Sequence, residues 1–439
     1  MLKTLVGAFK NKDIRKKILY TLMILVIVRV GSLLPIPGVD TEYFSSLLSG
    51  INTGDLSYLS AFTGGSFERM SLFALSITPY ITSSIIMQLL AIAIPKLEEM
   101  QKEGEDGRKK IAAITRYVTI ALALIESIAM AVGFGRSGLI KGYQGFSTLH
   151  YIVSIIVVVA ALTAGSAMLM WLGERITENG VGNGISIVLL INIISGMPSD
   201  FATLYSTFVA PRTIAKGVLA AAIIIAILVV MVVLVCFLQD GERRIPVQYS
   251  QKVSGRKTFG GQSTNIPLKV NTAGVMPVIF ASSLMQFTVI IAQLFGKSYE
   301  WTRYLSSSYW CRISAPKYSI GLILYIVLLI IFAYFYTSIT FNPIEVADNL
   351  KKAGGVIPGI TPGKSTSDYL NNILNYIVFV GAVGLLIIAL IPIMCTGFFN
   401  ASVSFGGTSV IIIVGVVLET LKQIESQMVN RYYKGFLSE

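Results

Sequence analysis

Two glycine-bearing motifs in this 439-residue chain come close to phosphate-binding chemistry. Gly359-Ile-Thr-Pro-Gly363-Lys364-Ser365 ends like a nucleotide loop, in which backbone N–H groups cradle phosphates and a Lys reaches them. That motif needs four residues between its glycines. Here there are three, Pro358 stands where a glycine should, and no buried β-strand is expected ahead of it. Gly180-Val-Gly182-Asn-Gly184 approaches a dinucleotide fingerprint, but it leads into an apolar segment instead of following a strand. A tight turn is the reading it supports. His150 is the sole histidine and reads as an interfacial loop residue, and Cys236, Cys311 and Cys395 show neither disulfide nor zinc spacing. Without a nucleophile–base pair or a metal cluster, enzymatic chemistry and a bound cofactor or metal are not expected.

The remaining chemistry-bearing residues lie inside apolar runs. Arg29 and Glu126 are charges within such runs, where charge is expensive and functional by default. Their depths match at a rise of about 1.5 Å per residue, so they are expected to pair or to face one polar interior. Ser71–Leu90 is apolar enough for a bilayer yet carries Ser71, Ser76, Thr78, Thr82, Ser83 and Ser84, with Pro79 near its middle and Gln88 near its end. A helix facing only lipid needs none of these. Such residues suit packing against other helices or the lining of a watery cavity.

The elements that must position these residues follow from composition. The chain is 54% hydrophobic and 13% charged, where a soluble domain carries about 25% charge. It reads as an all-α polytopic membrane protein, because its apolar runs approach the roughly 20 residues of a spanning helix. Ten spans are expected, at 18–37, 72–94, 112–134, 151–173, 184–208, 216–238, 270–295, 318–341, 370–394 and 404–423. The first follows a basic N-terminus but is longer than a signal peptide's apolar core and has no small-x-small cleavage site. Of the 35 Lys and Arg, 25 fall on the flanks that share a side with the N-terminus and 9 on the opposite flanks. The positive-inside rule then places both termini in the cytoplasm. Five spans per half, 1–209 and 210–439, would make the halves inverted relative to each other, although no clear sequence repeat is visible.

Three loops are long. Gly50–Met70 faces outside, with Gly64 and Gly65 after the weakly apolar Leu56–Phe62, enough for two helical turns. Residues 240–269 and 342–369 face inside, and the net charge of +12 is concentrated on the cytoplasmic loops as a group. That charge suits anionic lipid, or an acidic partner or RNA. On the residues alone, a channel and a secondary transporter for a small solute both stand. A transporter would want ionisable groups at the bilayer centre, and apart from Arg29 and Glu126 the spans have almost none.

Several long segments together resemble the SecY family of protein-conducting channel subunits. They are LFALSITPYITSSIIMQLL (72–90), QKEGEDGRKK (101–110), MWLGERITENGVGNGIS (170–186), IPLKVNTAGVMPVIFASS (266–283), FNPIEVADNLKKAGGVIPGITPGK (341–364) and FGGTSVIIIVGVVLETLKQIESQ (405–427). They cover essentially the whole chain in the family's order. The resemblance implies two five-helix halves around a central hourglass pore with a plug and a lateral gate. Its pore ring would be Ile77, Ile81, Ile185, Leu189, Ile279 and Ile412. Its plug, about 56–68, would include Leu56, Tyr58, Leu59, Phe62, Gly64 and Gly65. Its gate, between the second and third and the seventh and eighth spans, would use Thr82, Gln88, Gln286 and Phe287. Arg256, Lys257, Lys351, Lys352 and Lys364 would dock SecA or the ribosome.

The family's role is to pass unfolded secretory polypeptides across the bacterial cytoplasmic membrane and to release membrane segments sideways into it. Its partners would be SecE, SecG, SecA, the ribosome, signal sequences, anionic lipids and YidC. The physical chemistry fits, since Ile77 and Ile81, and Ile185 and Leu189, each share a helix face. Branched aliphatics narrow a pore to a dewetted constriction without directional bonds. One departure is Thr361, where the family's PGIRPG carries an Arg.

Overall fold

A computed structural model describes residues 9–50, 63–135, 148–211, 214–249, 253–254, 257–258, 263–294, 301–305, 309–311, 316–399 and 407–435. Each expected span lands on a helix. The first is α1 (Lys12–Gly31), capped by Asn11, whose side chain accepts from the Asp13 N–H at 3.2 Å. After α2 (Thr41–Gly50), the second span is α3 (Thr78–Ala93), which bends by 106° at Ile94 into α4 (Pro95–Lys102). α5 (Glu105–Phe134), α6 (Thr148–Asn179) and α7 (Gly184–Leu204) complete the first five spans. A π-helical turn, Tyr205–Val209, extends α7.

The second set begins with α8 (Ile214–Asp240), followed by β1 (Glu242–Tyr249), β2 (Val253–Ser254), β3 (Lys257–Thr258) and β4 (Ser263–Lys269). Then come α9 (Met276–Leu294), the short α10 (Thr302–Leu305) and α11 (Ile320–Thr340). α12 (Pro343–Lys352), β5 (Gly355–Val356), α13 (Lys364–Phe399) and α14 (Gly407–Gly435) close the chain.

By length and apolarity alone, six of the described helices can cross a membrane, and the bent pair α3–α4 makes a seventh. α1 misses that standard because Lys12, Asp13, Arg15, Lys16 and Lys17 crowd its first turns. The outward faces are those of a protein in lipid. Phe237 on α8 is 75% exposed and Val26 on α1 is 63% exposed, which a water-soluble surface would not tolerate over so many helices.

The turn at Gly180–Gly184 forms as expected. Gly182 has φ +81°, and a side chain at Gly184 would strike the Gly173 carbonyl of α6. Asn183 caps α7 by accepting from the Ile185 N–H at 3.2 Å.

The two basic loops are not separate. β1 pairs antiparallel with β4, from Glu242↔Lys269 to Gln248↔Ser263, and β5 joins the other edge of β1 at Gln248↔Val356. Ile245, Val247 and Leu268 from the hairpin share a core with Leu350, Ile357, Leu370 and Ile373. A two-residue strand therefore does precede the Gly359–Ser365 motif. It is an antiparallel edge strand, not the buried parallel strand that launches a nucleotide loop.

Candidate functional site

The polar stretch that opens the second span is not helix. Residues 64–70 and 72–77 run through successive turns, with Met70 at φ +43° and Ser76 at φ +53°. Left-handed backbone is rare for residues with a Cβ. Helix α3 starts only at Thr78, whose hydroxyl donates to the Leu75 carbonyl at 2.6 Å. Pro79 is thus a first-turn residue and not a mid-span kink.

The turns are pinned from several sides. The Leu72 N–H donates to the Leu34 carbonyl at 2.9 Å, and the Ile36 N–H donates to the Met70 carbonyl at 3.1 Å. A side chain at Gly31 would run into the Phe73 ring, and one at Gly165 into the Leu72 carbonyl.

This arrangement carries Ile77 and Ile81 into the centre. Both are buried in one apolar cluster with Leu189 of α7, Ile279 of α9 and Ile412 of α14. Five of the six residues expected to form a ring are therefore brought together from four helical regions. The sixth, Ile185, is half-buried at the start of α7 and packs against the same cluster, with its side chain also against Gly173. Ile193, one turn beyond Leu189 and 3% exposed, is buried in the cluster as well. The same helical spacing that pointed to Ile185 also points to Ile193.

The expected gate helices occupy two pairs. α3 packs on α5 and α9 packs on α11, while α9 also touches α5. The first pair is joined by hydroxyls: Ser83 Oγ and Thr119 Oγ1 are 2.5 Å apart in a buried site. The second pair is joined by rings, with Phe280 edge-on to Phe332 at 5.8 Å and to Tyr336 at 6.0 Å. Thr82 donates to the Thr78 carbonyl of its own helix at 3.0 Å, and Gln88 Oε1 is buried with no hydrogen-bond partner among the described residues. Gln286 and Phe287 lie on α9, and their side chains fall outside the described residues.

Leu56, Tyr58, Leu59 and Phe62 also fall outside the described residues. Gly64 and Gly65 are described, at φ +62° and +78°. Gly64 rests on α7, where a Cβ would meet Ser195 Oγ and the Asn192 carbonyl within 2.7 Å.

Arg29 does not pair with Glu126. Its Nη1 points to Asn192 Oδ1 of α7 at 3.5 Å, and no ion pair joins it to Glu126. Matched depth fixed the height of these two charges but not the direction each helix turns them. Asn192, 2% exposed, was missed by the sequence reading. Its signal was that of any uncharged polar residue alone in an apolar span, weaker than that of a charge.

At the sheet-bearing end, Lys351 and Lys352 are exposed in the last turn of α12 and Lys364 is exposed at the start of α13. Lys257 lies on β3 with its side chain outside the described residues, as is all of Arg256. Thr361 donates to Ser365 Oγ at 2.9 Å, and its carbonyl accepts from Thr366 at 2.9 Å. It holds the first turn of α13 where a longer side chain would project into solvent.

A family model described as SecY matches residues 71–421. The chain is 44% identical to the protein translocase subunit SecY of Streptomyces galbus, with 100% of each chain covered. Among solved structures, it is similar to a SecY protein described as having a plug domain that stabilises the closed state of the translocation channel. That similarity has a TM-score of 0.65 at 19% identity, covering 94% of this chain and 92% of that one. It is also similar to the Sec61 channel in a canine ribosome–channel complex from the endoplasmic reticulum, with a TM-score of 0.58 at 18% identity, covering 94% and 93%.

Proposed function

The chain belongs to the SecY family as a channel-forming subunit of a protein translocase, and on that premise we propose that Ile77, Ile81, Leu189, Ile193, Ile279 and Ile412 close its pore. The observation that carries this reading is that these residues of α3, α7, α9 and α14 meet in one buried cluster, backed by Ile24 and Val28 of α1 and by Leu169 and Leu172 of α6. Aliphatic side chains seal by excluding water and yield to a passing chain of any sequence, because they form no directional bonds. The solute-transporter alternative is set aside, since the full-length relatives are protein translocase subunits.

The halves 1–209 and 210–439 move apart on opening, with α3 and α5 separating from α9 and α11 to admit signal sequences and membrane segments to lipid. Thr82, Gln88, Gln286 and Phe287 line that gate. Gly64 and Gly65 end a plug drawn from about 56–68. Ile185 lies at the rim of the constriction. The N-terminus faces the cytoplasm of a bacterial cell, across whose membrane the polypeptide moves outward. SecE and SecG complete the complex, and YidC receives segments that leave sideways. The chain is not an enzyme. Its energy comes from SecA or the ribosome, docked through Arg256, Lys257, Lys351, Lys352 and Lys364, and anionic lipid meets the remaining basic surface.

The test is crosslinking from Ile81→Cys to a secretory chain stalled in transit. Adduct formation at Ile81→Cys and Ile279→Cys, with none at lipid-facing Val26→Cys, is the expected result. Equal labelling at Val26→Cys would overturn the assignment.

A further inference from the structure

The constriction residue Ile77 directly follows Ser76, a residue with a Cβ held at φ +53°. Left-handed backbone persists at such a residue only when its surroundings hold it. The hold is visible. Asn192 Nδ2 donates to Ser76 Oγ at 3.2 Å, and both side chains are buried. The orientation of the Asn192 amide is fixed on its other side. Arg29 has only donors and approaches Asn192 Oδ1 at 3.5 Å, so Oδ1 must face Arg29 and Nδ2 must face Ser76. The Asn192 carbonyl in turn accepts from Ser195 Oγ at 2.8 Å, and that hydroxyl lies 3.5 Å from the Gly64 carbonyl. One residue of α7 therefore touches α1 and both ends of the turn segment that leads into α3. Its sequence neighbour Ile193 faces the apolar cluster.

We propose that Asn192 is the positioning residue of the closed constriction, tying Ser76 in its left-handed turn and through it setting Ile77 against α7. Opening the pore breaks this tie, and closing restores it. A single interhelical hydrogen bond in a membrane is weak, which suits a contact made and broken in every cycle. The inference rests on the reading of Ile77 and Ile81 as the seal.

The experiment measures ion leak through the purified full-length translocase complex in proteoliposomes, alongside its thermal melting. Asn192→Ala and Ser76→Ala are each expected to raise leak about threefold to tenfold, as expected for loss of one such bond, with melting unchanged. The double variant should leak no more than either single one. Ser76→Gly also loses the hydroxyl but sheds the strain of the turn, so it should leak less than Ser76→Ala. Ser199→Ala on the same helix should not leak. Ile81→Gly separates the two readings. If Ile81→Gly seals as well as the parent, the seal itself is misassigned. If Ile81→Gly leaks but neither Asn192→Ala nor Ser76→Ala does, the tie alone is overturned. Multiplicative leak in the double variant would also overturn it. Should Asn192→Ala fail to assemble, Ser76→Ala decides the matter unaided.

Discussion

The approach to α3 and the approach to α9 solve one problem with one backbone and different side chains. Ser76-Ile-Thr-Pro79-Tyr-Ile81 matches Gly274-Val-Met-Pro277-Val-Ile279 residue for residue. In each, a left-handed residue (φ +53° and +64°) precedes a first-turn proline by three, and a buried isoleucine follows that proline by two. The likeness extends backward. Four residues before each left-handed residue, a backbone carbonyl packs on a glycine: Leu72 on Gly165 of α6, and Val270 on Gly381 of α13. The difference is at the pivot. Gly274 adopts its conformation without strain, and a Cβ there would meet nothing within 4 Å. Ser76 carries about 1–2 kcal/mol of left-handed strain and offers a hydroxyl to Asn192. One side of the seal is held by backbone freedom alone, while the other is held by a polar contact that can be released.

The largest effect belongs to the shared feature. Gly165→Ala and Gly381→Ala each push a methyl group into a carbonyl, so both should destabilise by about 1–3 kcal/mol, read as lowered melting temperature in detergent. Equal losses support the equivalence of the two approaches, and a loss at one site only would break it.

Next comes the pivot. Gly274→Ser should cost about 1–2 kcal/mol, because the new hydroxyl has strain and no partner. Ser76→Gly should be close to neutral in stability, since the relief of about 1–2 kcal/mol of strain is offset by a lost bond of about 0.6 kcal/mol and by about 0.5–1 kcal/mol for the freer glycine in the unfolded chain. Melting curves of the pair check the asymmetry. If Ser76→Gly raises melting by as much as Gly274→Ser lowers it, the Ser76 contact contributes nothing.

Much of this was legible in the sequence, and the rest was hidden for definite reasons. The spans were legible because hydropathy reports burial in lipid whatever the partners. Ser71–Ile77 was misread as helix because an apolar run looks the same whether it is wound or turned. Only the backbone angle at Ser76 separates the two, and serine is not a residue that announces a positive φ. The Gly274 approach carries the glycine that would have signalled it, but without the structure nothing linked the two segments. Ile185 and Ile193 fit the helical period from Leu189 equally well, and the packing of Ile185 on Gly173 is a tertiary fact. The β1–β4 hairpin is written in the alternation Ile245, Pro246, Val247. Pro246, however, argues for an edge strand, and the third strand comes from a segment about 100 residues away.

The contrast continues into the two helix pairs. Ser83 joins α3 to α5 through Thr119, so Ser83→Ala should loosen that pair by about 0.6–1.7 kcal/mol, and a double-mutant cycle with Thr119→Val should show the coupling. Gln88→Leu removes a buried oxygen that lacks a partner among the described residues. It should therefore favour the closed arrangement, in contrast to a substitution that breaks a bond. A signal-sequence suppressor assay separates the two, with Gln88→Leu restrictive and Ser83→Ala, whose bond lies within one gate pair, close to the parent. Permissive behaviour by Gln88→Leu would show that its amide finds a partner across the gate.

The smallest effect is expected at Thr361. Both of its bonds are local, one hydroxyl to Ser365 and one carbonyl from Thr366, so Thr361→Arg keeps the carbonyl contact and exchanges a weak surface hydrogen bond for a solvated charge. The new guanidinium would join Lys351, Lys352 and Lys364 on the rigid body formed by β1, β4, β5 and α13. An exposed charge pair gained with an acidic docking partner is worth about 0.2–1 kcal/mol, or at most a few-fold in SecA affinity, and it should fade as salt rises. A gain that survives high salt would mean that the arginine is buried on docking. The partner would then grip this turn far more closely than its exposure in the free chain suggests.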